Sequence, residues 1–365
     1  MPSETLRFVM FYHSLVSDWN HGNAHFLRGV VAELLRRGHE VKVFEPANGW
    51  SYSNLVTEYG HGPIEEFALT YPQLSSSNYD LNTLELDRAL DGADVVLVHE
   101  WNSPELIDRI GRHRRNGGRY KLLFHDTHHR SVSHPESMDA ISFRGYDGAL
   151  VFGESLREQY LTRKWIDTAW VWHEAADTNV FTPRTVPSVA GDLVWVGNWG
   201  DEERSAELEE FLFHPVRVLQ LRTTVHGVRY PRQALEALCH SGISYAGWIP
   251  NFRVPETFAA HLMTVHVPRR LYRDKLPGVP TIRVFEALAC GIPLVCSPWE
   301  DCEHLFTPGK DFLIANNGGE MIEMLRTLAD DSRLRRELAE HGVRTIQEKH
   351  TCSHRVDQLM EIVRQ

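Results

Sequence analysis

The sequence predicts an α/β protein built from two doubly wound, Rossmann-like domains facing a central cleft. Compact apolar strands alternate with amphipathic helices, and this alternation runs through the chain twice. A polar, proline-containing stretch near residues 167–186 separates the two series. The length of 365 residues suits two domains of roughly 100–200 residues each. Open sheets of this class bind ligands in the loops that follow the carboxyl ends of their strands, so candidate residues are sought there.

Residues 6–12 read as a short buried strand, followed by a polar loop over 17–23. Over 24–37, apolar side chains recur at Phe26, Leu27, Val30, Val31, Leu34 and Leu35, a helical spacing with the charges mainly on the other face. Gly38 is a helix stop, and residues 39–44 begin a second strand. This strand–loop–helix–strand unit is the building block of a parallel sheet. It recurs as a strand at 94–99 (DVVLVH), a helix at 104–115, and strands at 122–125 and 148–152. Continuous apolar strands of this kind are covered on both faces. In the second series, strands are expected at 192–196, 217–221, 225–228, 264–267 and 293–296, with helices at 203–213 and 280–290. Residues 319–365 are mostly helical by composition. The expected division is an N-terminal domain over 1–167, a C-terminal domain over 168–345, and a closing helix over 346–365 that packs back on the first.

A hydrophobic fraction of 42% with 24% charged residues supports sizeable cores. The formal net charge of −11 argues against general nucleic-acid binding, which needs a basic face, but leaves room for a local basic pocket. No run approaches the ~20 apolar residues of a membrane span. The opening residues, interrupted by Arg7 and His13, lack the layout of a signal peptide. The five cysteines are odd in number and form no C-x-x-C pair, which speaks against a disulfide framework or zinc site and for a reduced, cytoplasmic protein.

The most informative stretch is 264–306, which reads strand, basic loop, Gly/Pro turn, helix, strand. Gly278, Pro280, Thr281 and Ile282 lie where the loop enters the helix, and free N–H groups at such a point hold anions with help from the helix dipole. Arg269, Arg270, Arg273 and Lys275 add positive charge upstream. Glu286, further into the helix, suits vicinal hydroxyls; alternatively it is a plain helix former, and Arg283 its intrahelical ion-pair partner. Arg269 and Arg270 also fit a solvated surface pair. His125, His128 and His129 lack metal-ligand spacing. His125 closes a strand, either lining the acceptor side with Asp126 to orient it or serving as a structural histidine. Asp18 and Trp19 lie in the first loop, where a ligand-facing and a surface reading both stand. Gly22 suits the turn before a helix. The chain has no G-x-G-x-x-G after its first strand, so a nicotinamide dehydrogenase is unsupported, and no Asp-x-Asp, so a metal-independent reaction is expected.

Glu286 and the run Ala287–Leu288–Ala289–Cys290–Gly291 resemble the close of the Glu-x7-Glu donor motif of retaining GT-B glycosyltransferases, whose first Glu would fall at Gly278. Pro280, Arg283, Phe285, Glu286, Ala287, Ala289, Cys290, Gly291, Pro293 and Trp299 more closely resemble the CgeB-like (spore-maturation-type) branch, which also lacks the first Glu. The segment from His173 to Phe181 resembles the interdomain segment of these enzymes, and Gly22 and Gly38 match their N-terminal domain. The resemblance implies sugar transfer, with retention, from a nucleoside diphosphate sugar to a glycan, small-molecule or protein acceptor. The UDP-, GDP- or TDP-linked sugar is a co-substrate, and no cofactor is expected. Gly197, Asn198, Gly278, Pro280, Thr281, Ile282, Arg283 and Glu286 would bind the donor, with Glu286 on the ribose. Arg204, Arg269 and Arg270 would stabilise the departing diphosphate, with His125 beside them in the catalytic set. Asp18, Trp19, Gly22, Asp126 and His173 would face the acceptor. A nucleotide-sugar 2-epimerase, a non-catalytic binding module and a nucleic-acid base glucosyltransferase are the rival readings, the last opposed by the net charge.

Overall fold

The computed structural model describes residues 5–365, which form two compact units. The first runs to Glu174 and takes in Cys352–Gln365; the second is Ala175–Thr351.

The first unit is built on seven parallel strands: β1 (Arg7–Phe11), β2 (Glu40–Pro46), β3 (Ser76–Tyr79), β4 (Val95–His99), β5 (Lys121–Asp126), β6 (Gly148–Val151) and β7 (Ala169–Val171). Their order is β3-β2-β1-β4-β5-β6-β7. The chain starts in mid-sheet, winds outward, then returns to place β4 on the other side of β1, so β1 and β4 flank the switch point. Every residue of β4 is buried, as its unbroken apolar run requires. The helix Ala24–Arg36 buries Phe26, Leu27, Val30 and Leu34, and Gly38 at φ +84° follows its end in the left-handed region. Pro104–Arg115 starts on Ser103, whose hydroxyl accepts from the Leu106 amide at 3.2 Å, with Pro104 in the first turn.

The helix Cys352–Arg364 packs against Ala24–Arg36 within this unit. Trp172 Nε1 donates to the Arg355 carbonyl at 2.8 Å, and Arg355 Nε donates to the His173 carbonyl at 2.8 Å. Two boundaries differ from the sequence reading. β7 pairs with β6, which carries the first unit past residue 167, and the helix Ser332–Lys349 completes the second unit, so the returning helix begins at Cys352.

The second unit holds six parallel strands: β8 (Gly191–Val196), β9 (Thr223–His226), β10 (Ile243–Tyr245), β11 (His261–His266), β12 (Leu294–Cys296) and β13 (Leu313–Ile314). The order is β10-β9-β8-β11-β12-β13, with the switch between β8 and β11. Residues 217–221, expected as a strand, instead fall mostly in the helix His214–Leu219, which Gln220 ends at φ +53°. That helix continues from a π-helical turn, Glu209–Phe213. The turn sits where the Pro215 ring would otherwise meet the carbonyl of Phe211, four residues back. The helix Ile282–Cys290 buries all its residues except Arg283. It lies against Ser332–Lys349, where a Cβ on Gly342 would come within 2.8 Å of Leu288 Cδ2. Among the described residues no helix is long and apolar enough to cross a membrane.

Candidate functional site

In the second unit β8 and β11 run side by side, and the loops beyond them carry the expected donor residues. A Cβ on Gly197 would meet the Trp195 indole at 2.6 Å, and one on Gly227 would meet the Gly197 carbonyl oxygen at 2.1 Å. The loops after β8 and β9 therefore touch backbone to backbone. The Gly197 amide donates to His226 O (2.8 Å), the Trp199 amide to Val228 O (3.4 Å), and Asn198 Oδ1 accepts from the Val228 amide (3.0 Å). The Gly197 amide, an expected donor contact, is thus used within the fold, and the loop instead frames Arg204.

Arg204 donates to Trp199 O at 3.3 Å, Val267 O at 3.1 Å and Asn198 O, and its guanidinium lies 5.1 Å from the Trp195 ring centroid. It ties the loop after β8 to the loop after β11. Burial, with Arg269 close by, pushes it down to about 9, so it remains charged at neutral pH. Arg269 Nη1 pairs with Glu203 Oε2 at 2.5 Å. Arg270 Nε pairs with Glu207 Oε1 at 3.1 Å and also donates to the carbonyls of Glu202 and Glu203. Partly exposed pairs like these contribute only about 0–1 kcal/mol, so Arg269 and Arg270 can exchange a carboxylate for a diphosphate at small cost.

The helix Ile282–Cys290 opens on Thr281 with no side-chain cap. The Thr281 hydroxyl is engaged with His266 Nε2 at 2.9 Å instead. Among the described residues no protein acceptor takes the amides of Ile282 or Arg283, which leaves the positive end of the helix open to an anion. Glu286 is wholly buried one turn in and paired with Arg283, so the intrahelical ion pair is formed. Gly278 sits at φ +81°, and a Cβ there would lie 2.7 Å from Cys302 Sγ. Its amide donates to Glu300 O at 3.0 Å, and Trp299 Nε1 donates to Val279 O at 3.2 Å. The backbone conformation and packing of this loop exclude a glutamate at 278. His266, at the end of β11, has its Nδ1 buried without a partner, and burial, then Arg204 and Arg283, push it down to about 3.

In the first unit, β4 and β5 pair so that His99 faces His125, with ring centroids 5.2 Å apart. His125 is fully buried between Phe26 (6.0 Å) and Trp172 (4.8 Å), with no partner for either ring nitrogen. This closed aromatic box leaves it no surface toward a substrate. Asp126, the next residue on the strand, points to the opposite face. It accepts from Tyr160 Oη at 2.6 Å and from the His128 amide at 3.0 Å, so it does not orient His125. Asp18 pairs with buried Arg28 at 2.8 Å, and Trp19 Nε1 donates to Glu58 at 2.9 Å. His173 Nδ1 lies 2.9 Å from Phe152 O. The Gly22 carbonyl accepts from the His25 amide in the turn that starts the helix. All of these acceptor-side candidates except Gly22 are buried.

Residues 204–361 match the glycosyl transferase-like family. The chain is similar in structure to sucrose-phosphate synthase from Thermosynechococcus elongatus, at 14% identity over 98% of both chains with a TM-score of 0.66. It is also similar to Anabaena Alr3699/HepE in complex with UDP and glucose, at 14% identity over 98% of this chain and 99% of that one, TM-score 0.69. The chain is a GT-B-fold glycosyltransferase. A third similar structure is phage T4 BGT in complex with its UDP-glucose substrate, at 13% identity over 98% of this chain and 99% of that one, TM-score 0.59. No curated protein sequence matches the chain.

The family match in this glycosyltransferase begins at Arg204 and takes in every donor candidate except Gly197 and Asn198. Sequence reasoning passed over His266, although a histidine at a strand's carboxyl end was the signal to seek. It also did not connect His125 with His13, His21 and His99, which form a line of buried histidines in the first unit at successive centroid distances of 5.6, 6.1 and 5.2 Å. Burial lowers all four, His13 to about 4 and His125 to about 3, and neighbouring imidazoles with Arg28 or Arg130 add to the effect at His21 and His99. Below the ordinary imidazole value near about 6.5 the unfolded chain therefore binds more protons than the folded one. The contribution of these imidazoles to stability is full above that pH and falls as pH drops toward the folded-state values, against the opposite trend of buried Glu45, which burial pushes up to about 7. Thermal unfolding between about pH 7.5 and about pH 4.5 should show the midpoint dropping from about pH 6.5 downward; a flat profile would contradict neutral buried imidazoles.

Proposed function

We propose that this glycosyltransferase transfers a sugar from a UDP-sugar, held by the second unit, to an acceptor bound by the first. The observation that carries this reading is the open N-terminus of Ile282–Cys290, with Glu286 buried one turn in and Arg204, Arg269 and Arg270 grouped about β8 and β11. Glu286 accepts the ribose hydroxyls. The amides of Ile282 and Arg283 and the arginines stabilise negative charge growing on the diphosphate as the glycosidic bond breaks. UDP is favoured because two of the similar structures are described with UDP or UDP-glucose. The FEALACG run supports the CgeB-like branch and retention, in which the leaving phosphate helps to deprotonate the acceptor and no side-chain nucleophile is needed. The lack of an Asp-x-Asp pair, the usual carboxylate ligands of a metal–diphosphate complex, supports metal independence. Five free cysteines support a reducing, cytoplasmic setting.

The test is thermal unfolding of the full chain with UDP, GDP or TDP, with and without EDTA. A ligand at 100 times its Kd adds about 2.7 kcal/mol of stability. UDP should raise the midpoint most, and EDTA should leave that rise unchanged. No rise with any of the three removes the donor site, and a rise abolished by EDTA removes metal independence. Product analysis with UDP-glucose then separates transfer from 2-epimerisation.

A further inference from the structure

The first unit contains a cavity of about 500 Å³ that none of the sequence candidates lines. It opens at the carboxyl ends of β1 to β4, walled by residues 46–50, 79–82 and 101–103 together with His13. Trp50 and Trp101 form a corner, with ring centroids 6.1 Å apart and planes at 76°. Each indole has a packing partner. His13 stacks on Trp50 at 4.4 Å, and the Arg130 guanidinium lies 5.3 Å from the Trp101 centroid. Below them Tyr79 Oη donates to Asn102 Oδ1 at 3.0 Å, while Asn102 Nδ2 donates to Phe11 O at 2.7 Å and His99 O at 2.8 Å, so the floor is rigid. The rim is polar and exposed, carrying Asn48, Asp80 and Asn82. His13 is 3% exposed, lines the cavity, and has its Nε2 without a hydrogen-bond partner.

This lining selects a ligand. It holds no lysine or arginine, so a phosphate or carboxylate finds no counter-charge, and Asp80 repels one. A purely apolar ligand would strip water from the rim amides and the buried His13 nitrogen without replacing their hydrogen bonds. A pyranose ring satisfies both demands: its C–H face lies on an indole while its hydroxyls point sideways to amide, carboxylate and imidazole. We infer that this cavity is the acceptor subsite of the glycosyltransferase and takes a neutral pyranoside, so that the acceptor is a carbohydrate. The inference rests on the proposed function and names the substrate class of its acceptor side.

Saturation-transfer NMR on the full chain tests it, using methyl α- and β-D-gluco-, galacto- and mannopyranosides, with glucose 6-phosphate and phenol as the anionic and flat aromatic comparisons. Saturation should reach ring C–H protons of at least one methyl pyranoside and exceed that on either comparison. Trp101→Ala should weaken that pyranoside roughly tenfold, about 1.4 kcal/mol. The rim variant Asp80→Asn should weaken it severalfold without disturbing the core, which keeps the test sound if Trp101→Ala misfolds. The UDP thermal shift is read on the same samples, so loss of the donor reading is seen separately. Silence from all six pyranosides, preference for phenol or glucose 6-phosphate, or undiminished binding in Asp80→Asn and folded Trp101→Ala overturns the inference.

Discussion

Arg204→Gln should lower kcat by roughly 10²–10³-fold, the scale of losing one preorganised charge-stabilising group. The structure ranks Arg204 above Arg269 and Arg270 for a geometric reason. Its guanidinium is partly buried, stacked on Trp195 and anchored to the carbonyls of Asn198, Trp199 and Val267, which fixes a cation where the loops after β8 and β11 meet. Arg269 and Arg270 instead lean on acidic partners near the surface. Glutamine cannot span three carbonyls and carries no charge. Lysine restores the charge but not the planar fork, so Arg204→Lys should recover only part of the rate. Because charge grows on the diphosphate in the transition state, turnover should suffer more than binding. Steady-state kinetics with UDP-glucose, set beside calorimetry with UDP and UMP, decide it. A folded Arg204→Gln enzyme with near-normal kcat would shift the diphosphate contact to the amides of Ile282 and Arg283.

Glu286→Ala should weaken UDP by about 10- to 100-fold, since a hydrogen bond to a charged group contributes about 1.5–3 kcal/mol. Two effects mix here, because removing Glu286 also strands Arg283. The ligand separates them. 2′-Deoxy-UDP should bind wild-type protein more weakly than UDP, whereas Glu286→Ala should bind the two alike. If the variant still discriminates them as wild-type does, the ribose contact lies elsewhere. Arg283→Gln, which breaks the ion pair and keeps the carboxylate, should retain the discrimination.

The proposed donor half of the site is legible in the sequence because its parts are neighbours along the chain. A strand end, a turn and a helix start fall between His266 and Glu286, and an uncapped helix N-terminus is a local property. Its frame was less readable. The approach of Gly227 to the Gly197 carbonyl depends on β8 pairing with β9, which no spacing rule supplies. On the acceptor side the reading erred where tertiary partners decide the outcome. Asp18 is claimed by Arg28 and Asp126 by Tyr160, and strand alternation turns Asp126 away from His125. The cavity that holds the Trp50–Trp101 corner draws on the segments after four strands, so it exists only after the sheet is assembled. For the fold, long apolar strands such as β4 and the capped helix Pro104–Arg115 were plain, while the short edge strands β3 and β10 carry too few apolar residues to register. Val218, Leu219 and Leu221 make residues 217–221 apolar enough to suggest a strand, but the helix begun upstream continues through Leu219.

The helix Cys352–Arg364 belongs to the first unit although the whole of Ala175–Thr351 is synthesised before it. At about 5–20 residues per second, roughly 10–35 s of translation separate the two portions of that unit. Throughout that interval the helix Ala24–Arg36 lacks the neighbour that covers it, and Trp172 lacks the Arg355 carbonyl that receives its N–H. The second unit, continuous in sequence, has everything it needs earlier. The order of completion on the ribosome is therefore the reverse of the order of synthesis, and the nascent first unit is the half that would call on a chaperone.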